Sequence, residues 1–235
     1  MIFGGNVKIG VLGGIGPEAT GEYYLKLIKS LQQSGLIRNN ADFPQIIINS
    51  IPAPELVGKT ISEEQLAPYR TGLKQLDEFG VDLIVMVCNT IHLYHADLQS
   101  VVNTPIINLR KKVNERLIRD GIRKAAVLGT PSAINRGLYH FDNIEYTNLS
   151  GQDIDDLSQV VFRYNNGTSK TSDKSLVKKI AEHKLQQGAQ TIILGCTELA
   201  IMLKDADIQK INASDVLVDA TVEFFEKHKG VDKNE

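Results

Sequence analysis

Short runs rich in valine and isoleucine alternate with helical segments along most of this 235-residue chain. The predicted strands are residues 7–12, 45–49, 82–87, 105–108, 125–128, 144–148 and 191–194. Such runs are typical of parallel strands that helices cover on both faces. Regular alternation of strand and helix indicates parallel sheets joined by right-handed crossovers. The sequence therefore predicts an α/β fold.

Local signals mark where several helices begin and end. Pro17 opens the first helix after a glycine-rich turn, and Ser62 with Gln65 three residues later forms a capping box for the second. A further helix is predicted over residues 172–187, with Gly188 as its C-cap. Each of these helices stands between two predicted strands, as a parallel crossover requires.

The two halves of the chain resemble each other. Residues 8–14 resemble residues 124–130, and residues 80–88 resemble residues 188–196. In both halves a helix-ending glycine stands eight positions before a cysteine, with an apolar strand between them. These matches follow the same order in each half, which indicates an internal repeat. The repeat predicts two pseudo-symmetric lobes.

The repeat gives equivalent positions to Cys88 and Cys196, each at the carboxyl end of a predicted strand. Open α/β sheets bind their ligands at that end, so two facing lobes would bring both thiols to one cleft. Helical stretches follow both cysteines, and a helix N-terminus is expected to lower a thiol pKa from about 8.5. The pattern predicts a two-sided acid–base site; inert burial is the alternative for any single cysteine.

Composition and charge exclude several classes of protein. The net charge of −2 offers no basic surface for nucleic acid or for an anionic membrane. No apolar run approaches the roughly 20 residues of a membrane span. The first six residues hold no basic or apolar segment, so we predict no signal peptide and a cytoplasmic enzyme. Two cysteines are too few for a disulfide framework or a structural zinc site.

Two further motifs suggest ligands more weakly. His92 and His95 lie three residues apart, but no third ligand nearby completes a metal site. We predict instead that His92 forms a hydrogen bond behind Cys88. The turn at residues 13–17 differs in spacing from the dinucleotide pattern G-x-G-x-x-G. Its backbone amides are expected to face a small acid, and a tight turn without a ligand is the alternative.

Four segments carry a more specific signal. They are residues 12–17 with Thr20 and residues 23–24, residues 88–92, residues 128–130, and residues 195–199. Together they resemble the signature motifs of the aspartate/glutamate racemase superfamily, and most of all those of aspartate racemases. The resemblance extends over about residues 7–225. It implies two Rossmann-like lobes with parallel sheets and an active site in the cleft between them, no cofactor, no metal, a small amino-acid substrate and a homodimer.

On this basis we expect an N-terminal lobe at residues 1–110, completed by a helix at residues 214–228. A C-terminal lobe is expected at residues 111–213 and a flexible tail at residues 229–235. The resemblance assigns catalysis to Cys88 and Cys196. The substrate-binding residues that we predict are Asn49, Asn89, Thr90, Thr130, Thr197 and Glu198. Asn89 and Thr197 alternatively do no more than cap the helices that follow them.

The chain departs from the aspartate racemase pattern in places. Ala133 stands where a second threonine is common, and the loop at residues 49–56 lacks the arginine that holds the substrate's side-chain carboxylate. Three other basic residues are candidates for that role, namely Lys59, Arg136 and Lys170.

The implied activity is interconversion of L- and D-aspartate, with one cysteine removing the α-proton and the other returning one. Glutamate or a broader range of amino acids is an alternative, as are hydantoin racemisation and maleate isomerisation. A malonate decarboxylase would need only one cysteine. A protein of another class, one that binds a small acid without converting it, would not require a cysteine on both walls.

Overall fold

The computed structural model describes residues 7–54 and 61–229. The strands are β1 Lys8–Gly13, β2 Gln45–Ser50, β3 Leu83–Met86, β4 Lys124–Gly129, β5 Glu145–Tyr146, β6 Thr191–Gly195 and β7 Lys210–Asn212. The α-helices are α1 Pro17–Gln33, α2 Glu63–Glu78, α3 His95–Gln99, α4 Leu109–Arg119, α5 Pro131–Asn135, α6 Gly151–Asn165, α7 Thr171–Gln186, α8 Thr197–Met202 and α9 Ala213–His228. Two short 3-10 helices span Asn40–Asp42 and Thr90–Tyr94.

The strands form two separate parallel sheets. The first has the order β2-β1-β3 and the second the order β5-β4-β6-β7. The central strands correspond, since Val11 of β1 pairs with Val85 of β3, and Val127 of β4 pairs with Ile193 of β6. The prediction of two lobes with parallel sheets is confirmed.

Side-chain alternation along the strands divides the core. Leu83 and Val85 of β3 belong to an apolar cluster that also includes Leu27 of α1, Val127 of β4 and Phe225 of α9. The opposite face of the first sheet packs on α2, and the outer face of the second sheet packs on α6 and α7. Because one cluster reaches both sheets, the two lobes share a continuous core.

Helix α9 follows the second sheet but packs against helices of the first half of the chain. It contacts α1 and α4, and the Tyr23 and Thr221 hydroxyls, both buried, hydrogen-bond at 2.8 Å. The observed helix agrees with the predicted helix at residues 214–228. The division into lobes remains a prediction, and the predicted tail lies outside the described residues except for Lys229. None of the described helices has the length and apolar character to cross a membrane.

Two strand predictions need correction, and one strand was missed. Residues 105–108 contribute a single bridge, Ile84 to Ile106, because Pro105 has no N–H to continue a ladder. The predicted strand at residues 144–148 pairs only over Glu145–Tyr146. Strand β7 was not predicted, since its three residues carry too short a pattern to detect.

Candidate active site

Cys88 lies two residues beyond β3, where the chain turns into the second 3-10 helix, Thr90–Tyr94. Backbone N–H groups of Ile91 and Thr90 hydrogen-bond the sulfur and favour its thiolate. Burial of the sulfur outweighs them and raises the pKa of the Cys88 thiol to about 12, with a further increase from the charge of Glu198. The expectation that this pKa lies below its ordinary value is therefore wrong, because burial outweighs the backbone N–H groups.

Cys196 caps α8 directly after β6 and is 4% exposed. Its thiol donates to Glu198 Oε2 at 2.8 Å, and the Thr197 hydroxyl donates to the same oxygen at 2.9 Å. Burial and then the neighbouring Glu198 carboxylate hold the pKa of Cys196 well above its ordinary value. Here too the predicted lowering is wrong, because the short helix α8 offsets little of the desolvation. Cys196 is thus a protonated thiol held by a carboxylate.

The glycine-rich turn after β1 comes close to the second lobe. Gly14 and Gly16 have φ angles of 86° and 87°, which favour glycine. A Cβ at Gly14 would lie 2.3 Å from the Ile51 carbonyl oxygen, and a Cβ at Gly16 would lie 3.1 Å from Glu198 Oε1. The turn therefore reaches the Glu198 carboxylate only because it lacks side chains.

These parts surround one cleft of about 210 Å³. Pockets that bind drug-sized ligands measure roughly 300–1,000 Å³, so this smaller cleft suits a small metabolite. The predicted site residues that line it are Cys88, Asn89, Thr90, Thr130, Cys196, Thr197 and Glu198. Both cysteines therefore border one cavity, although they follow strands of different sheets.

Polar side chains join the lobes beside the cleft. Thr90 Oγ1 lies 3.0 Å from Thr130 Oγ1, and Thr130 also accepts a hydrogen bond from Ala133 N as the N-cap of α5. The Tyr139 hydroxyl donates to Asn89 Oδ1 at 2.5 Å. Asn89 makes no side-chain capping bond to the helix that follows it, so its amide serves this contact and the cleft.

His92 lies behind the site as a buried neutral side chain. Its Nε2 approaches the Met86 carbonyl oxygen at 3.2 Å, as predicted for a hydrogen-bonding residue behind Cys88. Desolvation lowers the pKa of His92 to about 3. Within residues 7–54 and 61–229, no three His, Cys, Asp or Glu side chains are grouped so that they could bind a metal ion.

The family follows from a match along most of the chain. The model of a family described as Asp/Glu/Hydantoin racemase matches residues 12–223. The chain belongs to this family. The prediction of a racemase, which is an isomerase, is confirmed at that level.

Relatives of this racemase include proteins with different substrates in their names. The broad specificity amino-acid racemase RacX of Bacillus subtilis is 26% identical over 227 residues, which cover 92% of this chain and 97% of that protein. The aspartate racemase of Picrophilus torridus has a TM-score of 0.78 at 20% identity, covering 94% of this chain and 95% of its own. An aspartate racemase homologue from Pyrococcus horikoshii has a TM-score of 0.72 at 24% identity, covering 93% of this chain and 99% of its own. At these identities the solved structures show the shared fold.

One predicted substrate contact of the racemase lies elsewhere. The Asn49 side chain donates to the Gly72 carbonyl oxygen at 3.0 Å and to Gln75 Oε1 at 2.8 Å, both on α2. It borders a separate surface pocket with Phe79. The pleat of β2 turns the Asn49 side chain toward α2, so Asn49 is not part of the cleft lining.

Two of the three basic residues proposed for the substrate's side chain also lie apart from the described cleft lining. Arg136 hydrogen-bonds the Tyr94 hydroxyl and lies over that ring, 4.7 Å from its centroid. Lys170 is the N-cap residue of α7, and its backbone N–H donates to Asp173 at 2.9 Å. Lys59 falls outside the described residues.

Sequence reasoning missed other residues of the site. Ala53, Pro54, Val161 and Asn165 line the cleft. They come from the loop after β2 and from the end of α6, and no local motif marks them. Tyr139 was also missed. Its one sequence signal is that it is an aromatic residue nine positions after Thr130.

Proposed function

We propose that this racemase interconverts the enantiomers of an amino acid by two-base proton transfer, with Cys88 and Cys196 as the two proton-transfer groups and aspartate as the predicted substrate. One observation carries the proposal: the two cysteines border the same small cleft from the ends of strands in different sheets. Racemisation needs a base on one face of the α-carbon and an acid on the other, and the cleft offers one thiol from each lobe.

The proton balance of the proposed reaction closes within the two thiols. One cysteine, as the thiolate, takes the α-proton while the C–H bond breaks. The other, as the thiol, donates its proton to the opposite face of the carbon. After the reaction the first cysteine is the thiol and the second is the thiolate. Reaction in the reverse direction restores the original protonation states. The resemblance implies that no cofactor takes part.

Charge developing on the α-carboxylate needs hydrogen-bond donors that are already in place. Asn89, Thr90 and Thr197 line the cleft next to the cysteines and supply amide and hydroxyl donors. The carboxylate of Glu198 provides a counter-charge for the substrate ammonium group. Binding of that ammonium would offset the negative charge that raises both thiol pKa values, and so would help a thiolate to form.

The substrate has two candidates. Aspartate rests on the resemblance to aspartate racemases. A broader range of amino acids, including those with uncharged side chains, is favoured by the neutral wall of Ala53, Pro54, Val161 and Asn165. A carboxylate buried there without a cation would cost several kcal/mol. Comparing kcat/KM for aspartate, glutamate, asparagine and alanine decides between the two candidates. The implied homodimer and cytoplasmic location remain predictions.

The test of the proposed function is substitution of each cysteine by serine. Cys88→Ser and Cys196→Ser nearly preserve side-chain volume but remove the ionisable thiol, so each should lower kcat by about 10²–10⁴-fold. Circular dichroism and the thermal midpoint serve as controls for folding. Turnover close to the unmodified rate in either variant would contradict the two-base mechanism.

A further inference from the structure

One buried side chain contacts the neighbours of both cysteines. Tyr139 is fully buried and follows α5 in the second half of the chain. Its hydroxyl donates to Oδ1 of Asn89, the residue after Cys88, at 2.5 Å. Its ring lies against Gly195, the residue before Cys196, where a Cβ would come within 3.0 Å of ring Cε2 and 3.1 Å of Cδ2.

The surroundings of Tyr139 fix its position. Its own carbonyl oxygen accepts a hydrogen bond from the Tyr146 hydroxyl at 2.6 Å. Burial raises the pKa of the Tyr139 phenol well above its ordinary value, so the hydroxyl keeps its proton and remains a donor. The described contacts of this hydroxyl lead to Asn89, which is 3% exposed and lines the cleft.

We propose that Tyr139 is a positioning residue for racemisation, which orients the Asn89 amide so that its Nδ2 faces the substrate carboxylate. This inference rests on the proposed function. An amide side chain has an acceptor end and a donor end. A donor that holds Oδ1 leaves the NH₂ group for the cleft, where an anion needs a donor. Without the Tyr139 hydroxyl, the amide can rotate and present Oδ1 to the carboxylate, which repels it.

The test begins with Tyr139→Phe, which removes the hydroxyl and keeps the ring against Gly195. Loss of a single preorganised donor costs about 10²–10³-fold in kcat, and a donor that is only misoriented part of the time should cost less, roughly tenfold. We expect kcat to fall more than KM rises, because the developing charge on the carboxylate is greatest in the transition state. The matched control is Tyr23→Phe, which removes another fully buried tyrosine hydroxyl, bonded to Thr221 at 2.8 Å, and should leave kcat unchanged.

Two further variants separate positioning from general packing. In the Asn89→Ala background, Tyr139→Phe should cause no additional loss of kcat, because Tyr139 acts through Asn89. Asn89→Asp keeps an oxygen for Tyr139 but replaces the donor with an acceptor, so it should lose activity at least as severely as Tyr139→Phe. This second variant tests the orientation even if Tyr139→Phe folds poorly.

Several results would overturn the inference. They are an unchanged kcat in Tyr139→Phe, equal losses in Tyr139→Phe and Tyr23→Phe, additive losses in the double variant, or full activity in Asn89→Asp. Failure of the proposed function would look different, since the two cysteine variants would then retain turnover. Inactive cysteine variants together with a fully active Tyr139→Phe variant would reject only the role of Tyr139.

Discussion

Glu198 is the residue whose charge most affects both thiols. It accepts a hydrogen bond from the Cys196 thiol, and its charge raises the pKa of Cys88 as well. Burial, and then this carboxylate, keep both thiols of the free enzyme protonated. The positive charge of the substrate's ammonium group would offset the negative charge of the carboxylate. In this account the thiolate forms when substrate binds.

Replacing that charge gives a pH prediction. Glu198→Gln removes the negative charge that disfavours each thiolate, so both thiols should ionise at lower pH than in the unmodified protein. The rate of alkylation by iodoacetamide, followed against pH, reports the thiolate fraction. Glu115→Gln on α4 is a control, because Glu115 pairs with Lys112 at 3.1 Å away from the cleft. An alkylation profile that is unchanged or moved to higher pH would contradict the role of Glu198.

Residues that follow strands could be predicted from sequence, and residues brought in by tertiary contacts could not. Cys88 and Cys196 were predicted to share a cleft because each ends an apolar strand in a repeated pattern, and the structure places both there. Asn49 also lies near the end of a strand, but its side-chain amide is hydrogen-bonded to α2. The direction of the thiol pKa shifts depends on burial and on Glu198, which local sequence does not report.

At the scale of elements, α2 packs unusually close to β1. Gly72 stands at the contact, where a Cβ would lie 2.7 Å from Leu12 Cδ1 and 3.0 Å from Ile51 Cγ2. The predicted capping box of this helix is present, since Ser62 accepts from Gln65 N at 3.2 Å. The start of α2 could thus be predicted from its capping residues. The distance of α2 from the sheet could not, because it depends on Gly72, a residue with low helix propensity.

Gly72→Ala should therefore destabilise the protein although alanine favours helix. Overpacking costs about 1–3 kcal/mol, against a gain of about 1 kcal/mol in helix propensity. Gly21→Ala in α1 is the matched control, because a Cβ there would have no heavy atom within 4 Å apart from its chain neighbours and the backbone of its own helix. Urea unfolding should show a lower free energy of unfolding for Gly72→Ala and a higher one for Gly21→Ala. Stabilisation by both variants would refute the close approach.

At the scale of the whole molecule, the buried neutral His92 links stability to pH. Its pKa is about 3 in the folded protein and about 6.5 when unfolded. Between pH 6.5 and 3, His92 is protonated in the unfolded chain but neutral in the folded protein. The contribution of His92 to the free energy of unfolding is therefore fully present above pH 6.5 and is lost as the pH falls toward 3. Near pH 5 the slope from this one group is about 1.4 kcal/mol per pH unit.

His92→Gln should accordingly flatten the pH dependence of the free energy of unfolding between pH 6.5 and 5, roughly by that slope. The measurement is urea unfolding at several pH values in this window. His183→Gln, on the exposed surface of α7, is the matched histidine-to-glutamine control. Equal slopes for His92→Gln and the unmodified protein would show that His92 does not resist protonation in the folded state.

The architecture of the whole molecule was largely predictable because it repeats. Gly80 and Gly188, each eight positions before a cysteine, both adopt the left-handed conformation, with φ of 67° and 97°. Sequence periodicity fixed two parallel sheets, but the order of the strands and the return of α9 to α1 and α4 depend on long-range packing. The identity of the substrate depends on the cleft wall and was the least accessible to pattern reasoning.

The central claim, removal of the α-proton by one thiolate and donation of a different proton by the other thiol on the opposite face, is tested most directly by racemisation in deuterium oxide. Starting from one enantiomer, the product should carry deuterium at the α-carbon from its first appearance, because the second thiol donates a solvent-derived proton. The remaining substrate should keep its hydrogen at early times, since its own face is reprotonated by the thiol that took the proton. Mass spectrometry after chiral separation measures both. Product that retains the original hydrogen would mean that a single base carries the proton across, and would contradict the account.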